Sequence, residues 1–238
     1  MKYRYIFGPV TSRRLGKSLG IDLVPYKTCT LDCIYCECGK TNNLTLKRKE
    51  YAETKLVIEE IDNYLNRQSD IDYITFSGSG EPTLHIGIGE IINFLKENYS
   101  NNKIALLTNS TLLNDRTVLK EIKEIDLLIP SLDAVSQETF KKINRPIAYM
   151  NSEDIINSLI NLKNIVNCPI WLEIFIVPGI NDNQIEIKKL TEAVEKINPT
   201  RVHVNTLDRP GTKKSVKKIN KTKLIDITKH FKRKVDII

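Results

Sequence analysis

The segment Cys29-Thr30-Leu31-Asp32-Cys33-Ile34-Tyr35-Cys36 carries three thiols in eight residues, just after the short apolar run GIDLV at 20–24. Sulfur donors at this spacing suit an iron–sulfur cluster, because a compact loop can wrap a cube whose corners each need one ligand. Three ligands leave one iron without a protein donor, and an open metal position is where a substrate or cofactor binds. The competing readings are a zinc site, which needs a fourth protein ligand, and a chance grouping of buried cysteines. With five cysteines in all, the odd count and close spacing fit metal ligation in a reducing compartment better than a disulfide framework.

Outward from this loop, short β-rich apolar runs alternate with stretches of helical period. Candidate strands are GIDLV (20–24), DYITFSG (72–78), KIALLTN (103–109), DLLIPSL (126–132), PIWLEIFIV (169–177) and RVHVNTL (201–207). Between them, Val57, Ile61, Tyr64 and Leu65 share one helical face, as do Ile88, Ile91, Ile92 and Leu95. So do Ile155, Leu159, Leu162 and Val166, and then Ile187, Leu190, Val194 and Ile197, where Asn198-Pro199 stops the helix. The alternation implies an α/β protein with parallel strands, either an open partial barrel or a doubly wound sheet. In both, the strand C-terminal ends carry the site, and the polar and glycine-bearing signals recur there.

The C-x3-C-x2-C spacing with Tyr35 before the last cysteine resembles the signature of the radical S-adenosylmethionine (SAM) superfamily. The resemblance implies a partial (β/α)6 TIM-like barrel and a 4Fe-4S cluster held by Cys29, Cys33 and Cys36. It also implies S-adenosyl-L-methionine on the open iron, cleaved reductively to a 5′-deoxyadenosyl radical with an electron from an external donor such as flavodoxin or ferredoxin. Gly78-Ser79-Gly80-Glu81-Pro82 resembles the family's GGE motif, with Ser79 in place of the first glycine, and implies that Glu81 receives the methionine amino group. Asn109, Ser131 and Asp133 match the strand-end positions that contact ribose or carboxylate, and 176–179, with Val177, matches the adenine-contacting stretch. Tyr35 is counted with these cofactor contacts. Within the superfamily, residues 7–36, GSGEPTLH (78–85) and NTLDRPGT (205–212) resemble a group of iron–sulfur oxidoreductases related to the tRNA wyosine-synthesising enzymes. Those enzymes use a second cluster held by three further cysteines, whereas this chain has only Cys38 and Cys168 beyond the first three.

Three residues are open candidates for direct roles. Cys38 is a redox partner, a hydrogen-atom donor or a small residue beside the loop. Glu173 is either the partner of a lumen Lys or Arg or a substrate contact, since a buried carboxylate must be paired or protonated. Asn205 closes the last strand where a substrate would lie. Arg13 and Arg14 are candidates for binding an anion.

A chain of 238 residues suits one catalytic domain, expected over 1–212, followed by a basic tail over 213–238 with one short helix on Leu224, Ile227 and Phe231. Residues 213–238 hold ten Lys and Arg against Asp226 and Asp236, a net +8, while the preceding 212 residues are nearly neutral. Such a tail is a candidate RNA-binding handle. No apolar run reaches the roughly 18 residues of a membrane span, and the N-terminus lacks a signal-peptide core, so a cytoplasmic protein is expected. The substrate expected from these features is RNA, above all tRNA; the alternative is a protein or peptide, as for a radical-enzyme activase.

Overall fold

The computed structural model of the chain describes residues 3–68 and 70–238. It opens with a hairpin, β1 (Ile6–Ser12) and β2 (Gly16–Ile21), and a two-residue pair, β3 (Thr28–Cys29) and β4 (Asn43–Leu44). Then follow α1 (Thr54–Leu65), β5 (Tyr73–Phe76), α2 (Ile88–Asn98), β6 (Lys103–Thr108), α3 (Arg116–Glu121) and β7 (Leu127–Pro130). The second half comprises α4 (Gln137–Ile143), α5 (Ser152–Asn161), β8 (Trp171–Phe175), α6 (Gln184–Ile197), β9 (Arg201–Asn205), α7 (Lys221–Thr228) and β10 (Val235–Ile237).

Strands run in the order β1-β2-β5-β6-β7 and, in a second sheet, β8-β9-β10, all parallel except β1. Two single bridges, Leu128 with Ile170 and Ser131 with Glu173, join β7 to β8 and make one curved, open wall. This is the partial TIM-like barrel, and periodicity alone could not separate it from a doubly wound sheet. Alternation along each strand divides its residues between two faces. The row Ile21, Phe76, Leu106 and Leu128 is paired in register, fully buried, and covered by the helices' apolar faces. The opposite row, including Thr75, Leu107, Ser131, Glu173 and Asn205, faces the lumen.

The first strand lies earlier than the GIDLV pattern suggests: its pairing with β5 ends at Ile21, and the Asp22 carboxylate accepts from the backbone of Ser79. The short helices α3 and α4 and the strand β1 carry too few periodic residues to be read from sequence. Leu224, Ile227 and Phe231 are buried as expected, but the basic tail also supplies β10, which pairs with β9. Residues 213–238 therefore contribute a helix and the edge strand of the sheet. Among the described residues, no helix is long and apolar enough to cross a membrane.

The turn between β1 and β2 fills the lumen at the strand starts. Leu15 packs with Ala105, Leu127 and Ile129, and the Arg14 guanidinium pairs with Glu173 on β8. Burial pushes the Arg14 guanidinium down to about 10, with Arg13 adding to the effect. Next to Glu173 in the ladder, His203 stands edge-on to Trp171 at 5.1 Å between ring centroids. Its Nδ1 is buried without a partner among the described residues, and its Nε2 lies 3.8 Å from Asp236 Oδ2.

Burial, reinforced by Arg14, pushes the His203 imidazole down to about 4. A lowered folded pKa means that the unfolded chain binds the proton better, so this contribution to stability is whole above pH 6.5 and is lost as pH falls toward 4. We expect the cluster-free protein to lose about 2 kcal/mol through His203 between pH 7 and pH 5. Urea unfolding at both pH values should show that loss shrinking by this amount in His203→Leu; an equal loss in the two proteins would refute the assignment.

Candidate functional site

The cysteine loop has almost no regular structure, so its shape comes from three segments that grip it. The first is the end of β5, where Lys27 N–H donates to Ser79 O (3.2 Å) and Glu81 N–H to Thr28 O (3.1 Å). A Cβ on Gly80 would lie 2.0 Å from Thr28 O, so only glycine permits this approach. Gly78, at φ +132, leaves room for the Asp22 carboxylate, whose Oδ2 accepts from Ser79 N (2.9 Å) and Ser79 Oγ (2.7 Å). The second is the turn after α4: Asp32 N–H donates to Asn144 O (3.0 Å), Ile34 N–H to Ile143 O (2.9 Å), and Arg145 pairs with the Asp32 carboxylate at 3.0 Å. The third follows β9: Lys213 N–H donates to Ile34 O (2.9 Å) and Thr212 Oγ1 to Cys36 O (3.2 Å).

Cys29, Cys33 and Cys36 are all free and half-buried. Their sulfurs meet Asn109 Nδ2 (3.4 Å), Asn144 Nδ2 (3.4 Å) and Lys27 Nζ (3.0 Å), respectively. Burial pushes the Cys29 thiol up to about 11 and the Cys33 thiol higher still, whereas a hydrogen bond with Cys38, and then Lys27, draw Cys36 down to about 5. Among the described residues, no three His, Cys, Asp or Glu side chains converge on a position that one metal ion could take. Three sulfurs on one loop, each with a hydrogen-bond donor, fit ligation of a polynuclear cluster.

Two hydrogen-bonded networks connect this loop to the strand ends. Glu81, only 2% exposed, accepts at Oε1 from Thr83 N (3.2 Å), Thr83 Oγ1 (2.6 Å) and Thr108 Oγ1 (2.7 Å), and at Oε2 from Asn109 N (2.8 Å). Burial pushes its carboxyl up and these four donors oppose the shift. Asn109 in turn reaches Thr30 and Cys29. On the other side, Asp133 accepts from Tyr35 OH (2.6 Å), Asn144 Nδ2 (2.7 Å) and Phe175 N (2.9 Å), and the Tyr35 ring stacks on Phe175 at 3.9 Å.

Other expected site residues lie outside these networks. Ser131 and Asn205 are half-buried on the lumen face; Asn205 Oδ1 accepts from Thr206 N. Pro82 is buried at the start of a single 3-10 turn. Val177 is 1% exposed and packs in a small core with Ile34, Phe175 and Leu207. Glu173 faces the lumen as the partner of Arg14, which therefore is no free anion binder. Cys38 lies against Cys36. Lys27, Asp22 and Asn144 were missed. Lys27 sits two residues before Cys29, where a basic residue in a cysteine loop is a legible signal; Asn144 is far off in sequence and has none.

The Radical SAM superfamily model matches residues 23–191, which include the cysteine loop, Glu81 and the ends of β5 to β8. A UPF0026 protein of Methanocaldococcus jannaschii is 33% identical over 213 residues, covering 89% of this chain and 66% of that protein. A Brachyspira hyodysenteriae protein named GTPase Obg is 35% identical over 237 residues, covering 100% of this chain and 35% of that protein. The chain thus spans between a third and two thirds of the length of these relatives. In fold it is similar to TYW1 with a lysine-pyruvate adduct bound, at a TM-score of 0.65 and 20% identity over 89% of this chain and 72% of that one. With its thiol loop on the open rim of a partial barrel and a family match over most of its length, the chain belongs to the radical SAM superfamily.

Proposed function

We propose that the protein is a radical SAM enzyme that modifies RNA, with tRNA as its substrate. The observation that supports the chemistry is the loop itself: three sulfurs, each with its own donor, held on the strand-end rim. When bound, a 4Fe-4S cluster and S-adenosylmethionine supply reductive cleavage of the sulfonium and hydrogen abstraction from a substrate. Cys29, Cys33 and Cys36 hold the cluster, and a flavodoxin or ferredoxin is the class of external electron donor.

The chain's own residues bind and orient. Glu81 Oε1 is saturated by three donors, but Oε2 accepts only one, leaving acceptor capacity for the methionine ammonium. Asn109, Ser131 and Asp133 stand at the neighbouring strand ends for ribose and carboxylate. Leu15, packed on Ala105, Leu127 and Ile129, fills the lumen on the side of the β1–β2 turn, which limits entry of water from there, and Arg14 reaches Glu173 in the middle of β8.

The RNA reading rests on where the basic segment lies. Lys213 and Thr212 are bonded to the cysteine loop, so the exposed lysines 213, 214 and 217 border the site. Lys218 is engaged with Asp208 at 2.9 Å. A cationic strip beside the site grips phosphates without reading sequence.

Reconstituted anaerobically, the protein should bind about four irons and four sulfides. Cys29→Ala, Cys33→Ala and Cys36→Ala should each abolish the cluster spectrum, while Cys38→Ala retains it; an undiminished spectrum in any of the first three rejects the ligand set. Glu81→Ala should keep the cluster and weaken SAM binding on the order of 10- to 100-fold, as loss of a charge-assisted contact does. Unchanged affinity and unchanged 5′-deoxyadenosine yield would remove Glu81 from the cofactor site. For RNA, replacing Lys213, Lys214 and Lys217 with Gln should flatten the salt dependence of tRNA binding by about 2 in log–log slope, at roughly 0.7 per contact. Identical slopes, or no binding at low salt, would turn the reading toward a peptide substrate.

A further inference from the structure

Among the side chains that donate nitrogen hydrogen bonds to the cysteine sulfurs, Asn109 and Asn144 offer neutral amides and Lys27 a cation. Lys27 is 2% exposed. Among the described residues, the one hydrogen-bond partner of its Nζ is Cys36 Sγ, and no carboxylate pairs with it. Carboxylates nearby are engaged elsewhere: Asp32 with Arg145, Asp22 with Ser79, and Glu81 with Thr83, Thr108 and Asn109. The backbone leaves the side chain little choice of direction, since Lys27 N–H donates to Ser79 O and Lys27 O accepts from Asn42 and Asn43 at a φ of +57. A buried ammonium without an opposite charge is strongly disfavoured. The negative charge within its reach is the Cys36 sulfur and whatever that sulfur ligates.

We propose that Lys27 is the counter-charge of the iron–sulfur cluster, a positioning residue whose ammonium on the Cys36 sulfur raises the reduction potential of the site. The inference rests on the reading of Cys29, Cys33 and Cys36 as cluster ligands. Reduction adds one negative charge to the cluster, and a nearby cation and hydrogen bonds to the sulfurs stabilise the reduced form more than the oxidised one. Asn109 and Asn144 act in the same direction through dipoles, more weakly than a full charge. Lys27 would thereby set how strong an electron donor the enzyme needs.

The test is a redox titration of anaerobically reconstituted protein at fixed pH, followed by visible absorbance and by electron paramagnetic resonance of the reduced cluster. Lys27→Met, which keeps the length and removes charge and donor, should titrate at a clearly more negative midpoint potential than wild type. Lys27→Gln, which keeps a donor, should fall between the two, and Lys27→Arg should stay near wild type. Equal midpoints for wild type and Lys27→Met overturn the inference. If Lys27→Met does not hold a cluster, Lys27→Gln decides, and a midpoint equal to that of wild type overturns it as well. A wild-type protein that forms no 4Fe-4S spectrum overturns the ligand reading and this inference with it, an outcome told apart from the others before any variant is made.

Discussion

Main-chain contact between the cysteine loop and the end of β5 is the constraint on which the site depends. A loop with almost no regular structure, whose three sulfurs must stay free to ligate, takes its position from backbone hydrogen bonds made to rigid neighbours. The approach of Thr28 O to Glu81 N–H, over a glycine where no Cβ fits, fixes one end of the loop to the barrel. It also fixes Glu81, whose carboxylate then orients Asn109, and Asn109 returns to Cys29. The rim motif and the cysteine loop thus hold one another in a closed ring of contacts. A change at Gly80 would move both together.

The barrel wall separates two kinds of requirement. Its outer face is mainly apolar and, along β2 and β5 to β9, buried under helices, which supplies the hydrophobic stabilisation. Its inner face carries Thr75, Glu173, His203 and Asn205, polar groups that cost stability unless they are paired. The β1–β2 turn settles part of this conflict by bringing Arg14 to Glu173 and Leu15 to the apolar residues at the strand starts. Among the described residues, His203 remains with one unpartnered nitrogen, and its depressed basicity is the expected sign of that unsettled burial.

Much of the architecture was legible in the sequence because its signals are local. Thiol spacing, the glycine-bearing rim motif and four helical faces with apolar residues three and four apart each stand within one short window. The six core strands could be located, yet the first ladder ends earlier than its apolar run does, where the pairing partner β5 ends at Phe76. Open barrel and doubly wound sheet share the same local pattern, and what separates them is the curvature closed by two single bridges between β7 and β8. In the site, Tyr35 and Asp133 could be named separately, but their hydrogen bond and the part of Asn144 in it depend on the turn after α4, which no periodicity marks. Glu173 was left open between a structural pair and a substrate contact, and only the three-dimensional path of the β1–β2 turn brings Arg14 to it.

The family match ends at residue 191 and begins at 23, and the segments outside it are those that finish the cavity. Before the match lies the turn that fills the lumen; after it lie β9, the segment that covers Tyr35 and Cys36, and β10. A Cβ on Gly211 would come within 2.6 Å of Tyr35 O, so the covering segment is seated against the loop as tightly as the rim motif is on the other side. The shared part of the barrel therefore presents the strand-end rim, while the two flanking segments shape what can approach it. Because the covering segment is also the start of the basic stretch, its backbone is anchored to the cysteine loop while its lysine side chains remain in solvent. Charge held at a fixed offset from a reactive centre differs from charge on a free tail: it can set the register of a polyanion relative to the site rather than merely raise its local concentration.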